Sequence, residues 1–328
     1  MAVMSSTLPR ATYGHATRMT NLLDRSLIVV TGKGGVGKTT VAAALGLLCA
    51  RRGGRTIVCE VGASQRLPGL FGVAAGAPGD EVRLADGLFQ TSVDPMLTIE
   101  EWIGRQLGSR SLTQVLARSN AFQYFVAAAP GAREVLTIAK TWELGQDERW
   151  DRKAAGYDHV IVDAPASGHG IGLLRAPATM SGVTRGIGPV ATQADLVTRT
   201  LKDPAASAYV AVALPGELPV TETIELDGLL HDAVGRTLDH VVVNAVLPRR
   251  FAGEELEALA AADGAVPETV RRATLGQAGR VREQQSQLRR LRKHASAPVS
   301  TLPFVSSPEL RLEDVQALAD ELGRRLEG

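Results

Sequence analysis

The sequence contains little of what marks several large classes of protein. Two cysteines, Cys49 and Cys59, occur in 328 residues, too few for a disulfide framework, so we expect a reducing, cytoplasmic setting. The formal net charge is +1, so no overall electrostatic field attracts nucleic acid or an anionic membrane. No apolar run is as long as a membrane-spanning helix, and we expect no stable membrane insertion.

The chain is predicted to form one large domain behind a short tail. Residues 1–24 mix Ser, Thr, Arg and Met without the apolar centre of a secretory signal, and we expect a flexible tail. Over 25–328, short β-branched runs alternate with helical patterns, which is typical of βαβ units. The predicted fold class is therefore α/β, with a mostly parallel sheet flanked by helices. Strands are predicted over 26–31, 56–61, 87–93, 159–165, 208–216, 240–248 and 300–305.

One part of this domain has no convincing strand. Residues 97–150 show the apolar spacing of helices, with a break at Pro130-Gly131. We therefore predict a helical subdomain inserted into the sheet domain at about 97–150. Further helices are predicted over 40–52, 253–294 and 312–326.

A glycine-rich segment follows the first predicted strand. Residues 32–39, GKGGVGKT, fit the pattern G-x-x-x-x-G-K-[ST] between a strand and a helix, which is the context of a phosphate-binding P-loop. Backbone N–H groups and the positive N-terminal end of the following helix bind phosphate oxygens there. We expect ATP, with Lys38 bridging its β- and γ-phosphates and the Thr39 hydroxyl binding Mg²⁺. The nucleotide-binding residues predicted in this segment are Gly32, Gly34, Gly35, Val36, Gly37, Lys38, Thr39 and Thr40.

The loop contains a second lysine, Lys33. An ordinary P-loop does not need it, and a solvated loop lysine is the simplest interpretation from the motif alone. The stretch GKGGVGKTT nevertheless resembles the deviant Walker A loop of a family of dimeric ATPases. That family includes the arsenite-transport ATPase, the tail-anchored-protein targeting ATPase, and the septum-placement and plasmid-partition ATPases. The resemblance implies that Lys33 crosses a dimer interface and serves catalysis at the partner's nucleotide.

A second motif narrows the resemblance to the arsenite-ATPase branch. Residues 163–169, DAPASGH, end a predicted strand and resemble the D-T-A-P-T-G-H switch of that branch. An acid at the carboxyl end of a strand beside a P-loop can hold Mg²⁺ through water, so Asp163 is predicted to be a catalytic and metal-binding residue. For His169, a local turn cap and a switch role both stay open.

Other segments resemble the bacterial, single-domain anion-transporting ATPase group of this branch. Asn244, at the end of the run HVVVN, resembles the residue that reads the adenine edge, since an amide both donates and accepts hydrogen bonds. A turn amide at a strand end is the alternative for Asn244. Pro303 lies where the branch lines its adenine pocket, and residues 219–223, PVTET, resemble its segment after a later strand.

The sequence departs from the branch at a catalytic acid. The branch has S-T-D-P-A after its second strand, whereas this chain has Cys59-Glu60-Val61-Gly62, and the acid position falls on Val61 or Gly62. Neither side chain accepts a proton, and strand alternation should point Glu60 away from the side that Val61 faces. We therefore expect slow hydrolysis, or another residue or a partner that supplies the missing function.

Three functions fit the sequence. The first is a Mg²⁺-dependent, ATP-hydrolysing dimeric switch that couples its nucleotide state to an unidentified client or partner protein. The second is a catalytically weak regulatory subunit that pairs with an active paralogue, so that the dimer is a heterodimer instead of a homodimer. The third, a metalloid or oxyanion pump subunit, is disfavoured because two separated cysteines are expected to be small buried hydrophobes.

Overall fold

A single sheet is the frame of the molecule. The computed structural model describes residues 21–62, 65–107, 119, 131–183, 188–262 and 266–327. Within these residues, eight strands form the sheet: β1 Leu27–Thr31, β2 Thr56–Val61, β3 Val82–Ala85, β4 Leu88–Val93, β5 His159–Asp163, β6 Ser207–Ala213, β7 His240–Val246 and β8 Val299–Pro303. They lie in the order β3-β4-β2-β5-β1-β6-β7-β8. The β3–β4 pair is antiparallel and every other neighbouring pair is parallel.

Helices cover both faces of this sheet. The helices are α1 Lys38–Arg51, α2 Leu67–Leu70, α3 Pro95–Leu107, α4 Ala132–Leu144, α5 Ser167–Val183, α6 Pro189–Lys202, α7 Glu217–Val234, α8 Gly253–Ala261, α9 Glu268–His294 and α10 Leu312–Glu327. One face of the sheet, named here the α1 face, is covered by α1, α2 and α10, and the opposite face by α4, α5, α6, α7 and α9.

The central strands are apolar on both sides because helices bury both sides. In β1, Leu27 and Val29 belong to the hydrophobic cluster on the opposite face, whereas Ile28 and Val30 pack under α1 on the α1 face. Alternation along the strand thus assigns each side chain to a face. Helix α1 lies close to the sheet, since a β carbon on its Gly46 would be 2.9 Å from side-chain atoms of β2 and β4.

The predicted α/β fold with a mostly parallel sheet is confirmed. All seven predicted strands are present, with ends that differ by a few residues. The prediction was wrong in omitting β3, a four-residue edge strand joined to β4 by Asp86-Gly87, where Gly87 has a φ of 69°. An Asp-Gly pair between two apolar runs is a hairpin signal, so the evidence for β3 was in the sequence.

The helix predicted over 253–294 is two helices. Helix α8 ends at Ala261 and α9 begins after Pro267, which has no N–H to continue a helix. Helices α5, α6 and α7 were not assigned from the sequence, although parallel neighbours such as β5, β1 and β6 require long crossover connections. Among the described residues, no helix is long and apolar enough to span a bilayer.

A buried ion network holds the predicted helical insertion against the sheet. The Arg149 guanidinium, with a side chain 1% exposed, donates from Nε to Glu143 Oε1 over 2.7 Å and from Nη2 to Glu81 Oε1 over 2.6 Å. Lys140 Nζ lies 3.0 Å from Glu143 Oε2 and 2.6 Å from Glu101 Oε2. These contacts join α3, α4 and the segment before β3, so the buried charges compensate one another.

The division into tail, sheet domain and helical subdomain remains a prediction. Residues 1–20, 108–118 and 120–130, including Pro130, lie outside the described residues. At the start of the described chain, Leu22–Asp24 form a 3₁₀ turn with Leu23 buried. Helices α3 and α4 pack on each other within the predicted insertion.

Candidate functional site

The glycine-rich loop connects β1 to α1, and its shape depends on glycine at two close approaches. A β carbon on Gly32, with φ 136°, would lie 2.3 Å from the backbone oxygen of Val212 in β6. On Gly37, with φ 93°, it would lie 2.2 Å from Nδ2 of Asn244 in β7. Larger residues would push the loop away from both strands, so these positions need glycine. The loop is therefore wrapped tightly over the carboxyl ends of the sheet.

The loop presents backbone to solvent and leads into the helix. Lys33, Gly34 and Gly35 are exposed, Val36 is buried, and the residues from Gly37 to Thr40 are half-buried. Helix α1 begins at Lys38 and has no acidic residue in its first turn. The first turn itself thus contributes no negative charge that would oppose an anion at its free N–H groups and positive end, which suits phosphate.

Lys38 curls back over the loop. Its Nζ donates to the backbone oxygen of Lys33 over 2.8 Å. Burial lowers the pKa of Lys38, while the nearby charge of Asp163 opposes this shift. The ammonium group is thus held at the mouth of the loop, where phosphate oxygens would replace the carbonyl as its acceptor.

Asp163 lies at the carboxyl end of β5, beside the start of α1. The Thr39 hydroxyl donates to its Oδ2 over 2.6 Å, whereas its Oδ1 is buried without a hydrogen-bond partner among the described residues. Burial raises the pKa of Asp163, and the Thr39 hydrogen bond and the Lys38 charge oppose that rise. A hydroxyl and a carboxylate with one free oxygen are hard oxygen donors, so these two residues fit Mg²⁺.

The switch-like turn after Asp163 is tied to the loop. Ser167, the first residue of α5, donates its N–H to the Gly32 oxygen over 3.1 Å, and Ala164 donates to the Val30 oxygen over 3.0 Å. His169 is exposed in the first turn of α5. The start of α5 is therefore joined directly to the first residue of the glycine-rich loop.

Lys33 points toward a carboxylate of its own chain. Its Nζ lies 2.9 Å from Glu222 Oε1 in α7, and its side chain is 48% exposed. Glu222 lies in the predicted segment 219–223, but sequence reasoning gave it no partner. Because Lys33 is exposed and Glu222 is half-buried, the pair is at the surface, where such pairs contribute about 0.2–1 kcal/mol and break easily.

Asn244 contacts the loop instead of open space. Its Nδ2 donates to the Val36 oxygen over 3.0 Å, and its Oδ1 accepts from the N–H of Ala245 over 2.9 Å. Ala245 has a φ of 57°, which residues other than glycine rarely adopt. Pro303 pairs with Val246 across β7 and β8 at the exposed edge next to this turn. The structure thus brings both predicted adenine-site residues to one corner.

Glu60, the carboxylate nearest the missing acid, is committed elsewhere. It is 3% exposed and its oxygens accept hydrogen bonds from the N–H groups of Arg66 and Leu67 and from Gln90 Nε2. Glu60 follows Val58 by two positions and faces α1, whereas Val61 packs against the opposite cluster. The predicted divergence of Glu60 and Val61 is therefore present, but the capping role of Glu60 was missed in the sequence.

The fold and this loop place the chain in the class of P-loop NTPases. The chain belongs to the anion-transporting ATPase family, whose model matches residues 25–194. It is 30% identical over 259 residues to ATPase BagA of Mycobacterium tuberculosis, covering 77% of this chain and 74% of that protein. The resemblance to the arsenite-ATPase branch found in the sequence is thus confirmed, and ATPase activity is the general property of this family.

The matches to two further relatives span a smaller share of each relative's length. The chain is 27% identical over 238 residues to a putative arsenical pump-driving ATPase of Halobacterium salinarum, which covers 67% of this chain and 35% of that protein. It is 27% identical over 183 residues to ATPase get3 of Schizosaccharomyces japonicus, with 53% of each chain covered.

Proposed function

We propose that this chain is a Mg²⁺-dependent ATP-binding switch that dimerises and signals its nucleotide state to a partner protein. The proposal rests mainly on the Thr39–Asp163 hydrogen bond of 2.6 Å at the start of α1, next to Lys38, whose Nζ donates to the Lys33 backbone oxygen of the loop. The loop backbone and Lys38 would bind the phosphates, and Thr39 and Asp163 would hold Mg²⁺. When bound, the ion would neutralise charge on the phosphate oxygens.

The switch element we propose is the start of α5. Because Ser167 is hydrogen-bonded to Gly32 over 3.1 Å, the loop and the helix would move together. The γ-phosphate of ATP would contact the region of the Ser167–Gly32 hydrogen bond, whereas ADP has no phosphate at that position. The two nucleotide states would thus differ in the position of α5, which packs against α4 of the predicted helical insertion.

Dimerisation is proposed from Lys33. The resemblance gives this residue a role at a second subunit's nucleotide, and its ammonium group is half-exposed and paired with Glu222 of the same chain. Breaking this pair costs about 0.2–1 kcal/mol, so a facing phosphate would outcompete Glu222. Pairing in cis would then characterise the free subunit, and pairing in trans the ATP-bound dimer.

A second candidate, a weak regulatory subunit beside an active paralogue, is favoured by one observation. Positions 61 and 62 are Val and Gly, and both oxygens of Glu60 are occupied by the chain's own N–H groups and Gln90. We therefore propose that isolated turnover is slow, because no carboxylate of this segment is free to position the attacking water.

A pump subunit that binds metalloids is disfavoured by the cysteines. Cys49 lies in the cluster on the α1 face and Cys59 in the cluster on the opposite face. Burial raises the pKa of the Cys49 thiol to about 12 and that of the Cys59 thiol still further. Two protonated thiols on opposite sides of a sheet do not bind one ion.

The proposal is tested by combining ATP turnover with light scattering. The isolated chain with Mg²⁺ and ATP should form dimers and turn over slowly, and mixing it with an active paralogue should raise turnover. Lys33→Ala should abolish this rise while leaving the chain's own ATP affinity nearly intact. Lys202→Ala is the matched control. This exposed lysine is the last residue of α6, just before β6, so it lies near the amino ends of the strands, whereas the glycine-rich loop lies at their carboxyl ends.

Two results would contradict the proposal. One is an isolated chain that stays monomeric with ATP and hydrolyses it quickly. The other is a Lys33→Ala variant that matches the Lys202→Ala control in every mixture.

The proposed Mg²⁺ site is tested by the variant Asp163→Asn. This variant should still bind ATP, but its affinity for ATP should no longer depend on Mg²⁺. Asp158→Asn, at the start of the same strand region, is the control, because Asp158 accepts only the N–H of Arg55 among the hydrogen bonds of the described chain. An unaltered Mg²⁺ response in Asp163→Asn would remove Asp163 from the site.

A further inference from the structure

The buried Glu60 carboxylate fixes the position of a neighbouring arginine. Its Oε1 accepts from Arg66 N over 2.8 Å, and its Oε2 accepts from Leu67 N over 3.3 Å and from Gln90 Nε2 over 3.0 Å. A carboxylate that accepts backbone N–H groups at a helix start holds that start rigidly. The start of α2, and with it the backbone of Arg66, is therefore anchored to β2.

The anchor lies next to the candidate magnesium acid. Glu60 of β2 pairs in register with Asp163 of β5, and neighbouring strands are about 4.8 Å apart. Val58 and Ile161, each two positions earlier in its strand, pack under α1, so Glu60 and Asp163 both face α1. Leu67 packs in the same cluster. Arg66 thus begins beside the N-terminal end of α1, where the P-loop opens.

Arg66 is exposed, and its guanidinium has no hydrogen bond or ion pair within the described part of the chain. Its charge contributes to lowering the pKa of Lys38, after burial and against the opposing effect of Asp163, and it opposes the rise that burial causes in the pKa of Asp163. Because the Arg66 backbone is anchored to Glu60, which lies in register with Asp163, the guanidinium charge is close enough to act on both Lys38 and Asp163.

We propose that Arg66 binds the terminal phosphate of ATP in the P-loop of its own chain, and that Glu60 is its positioning residue. This inference rests on the proposed ATP-binding function. A planar guanidinium donates two parallel hydrogen bonds to the oxygens of one phosphate, and ADP in the same loop would lack the terminal phosphate that we assign to Arg66. Arg66 thus distinguishes ATP from ADP in cis, whereas Lys33 is proposed to act in trans.

Calorimetric titration with Mg²⁺ and either a non-hydrolysable ATP analogue or ADP tests this inference. Arg66→Gln should weaken binding of the triphosphate analogue by about 10- to 100-fold, the range of one or two hydrogen bonds to a charged group. It should change ADP binding by less than about twofold, since no lost contact involves the first two phosphates. Arg66→Lys should fall between wild type and Arg66→Gln, because it retains the charge without the fork.

Two further variants separate positioning from general damage. Arg51→Gln is the matched control, because Arg51 is exposed at the far end of α1 and pairs with Asp320. Glu60→Gln replaces one acceptor oxygen by an amide donor that faces backbone N–H groups, so it should also lower the preference for triphosphate over diphosphate. If Glu60 acts through Arg66, the double variant should lose no more of this preference than Arg66→Gln alone.

The outcomes separate this inference from the proposed function. Equal losses for both nucleotides in Arg66→Gln, or no loss for either, would overturn it while leaving the P-loop assignment intact. Additive losses in the double variant would overturn the positioning role of Glu60. A wild-type chain that binds neither nucleotide would overturn the proposed function, and the inference with it.

Discussion

Alanine at Gly32 tests the wrapped shape of the P-loop. The new β carbon would lie 2.3 Å from the Val212 backbone oxygen, and the backbone would keep a φ of 136°, which residues other than glycine rarely adopt. The backbone conformation costs about 1–3 kcal/mol, and forcing a methyl group into a packed contact costs about 1–3 kcal/mol more. Because the obstacle is the backbone of a central strand, it cannot rotate away as a side chain can. We expect a total loss of about 2–6 kcal/mol in the free energy of unfolding.

Urea unfolding followed by circular dichroism measures this loss. Gly34→Ala is the matched control two positions along the loop, because no atom lies within 4 Å of its added β carbon and its φ is not positive. The control should stay within about 0.5 kcal/mol of wild type. Equal stability of the Gly32→Ala and Gly34→Ala variants would refute the described contact between the loop and β6.

Three further predictions concern buried groups. Glu143→Gln should lower the free energy of unfolding by about 3–5 kcal/mol, because it leaves Arg149 and Lys140 short of a buried counter-charge; a loss no larger than that of the exposed Glu148→Gln would contradict this. Burial lowers the pKa of His240 to about 4, so as pH falls below about 6.5 the unfolded chain binds a proton that the folded chain does not, and stability falls with it. Between about pH 7.5 and about pH 5, wild type should therefore lose about 2 kcal/mol more than His240→Gln in urea unfolding, and parallel pH profiles would argue against a buried neutral imidazole. Arsenite should not stimulate ATP turnover, because the two thiols lie on opposite faces of the sheet; stimulation that disappears when both cysteines are replaced by serine would contradict this.

The fold was largely predictable because its parallel strands are nearly continuous apolar runs. Leu27–Thr31 and Ser207–Ala213 are buried on both faces, and such runs stand out from polar connections. Strand β3 was missed because Val82–Ala85 is short, lies at the edge and has one buried residue. Helix α5 was missed because glycines and Pro177 weaken its apolar period. Tertiary contacts, more than local propensity, keep these two elements in place.

The candidate site was predictable where chemistry fixes both residue type and spacing. The P-loop and Asp163 follow such patterns, and the hydrogen bond from Thr39 to Asp163 brings together residues 124 positions apart. The partners of Lys33 and Glu60 were not predictable, because a carboxylate on α7 or a backbone N–H at α2 leaves no local signature in the sequence. The direction in which a charged side chain points depends on which strands lie side by side, and that order follows from the assembled sheet.

ATP binding by the glycine-rich loop is tested by calorimetric titration of wild type, Lys38→Ala and the exposed control Lys202→Ala with ATP and Mg²⁺. Wild type and Lys202→Ala should bind one ATP per chain with equal affinity. Lys38→Ala should bind at least about tenfold more weakly, since it loses charged hydrogen bonds to two phosphates, and should unfold at the same urea concentration as wild type. Equal affinity in all three proteins, or no binding in wild type, would contradict ATP binding by this loop.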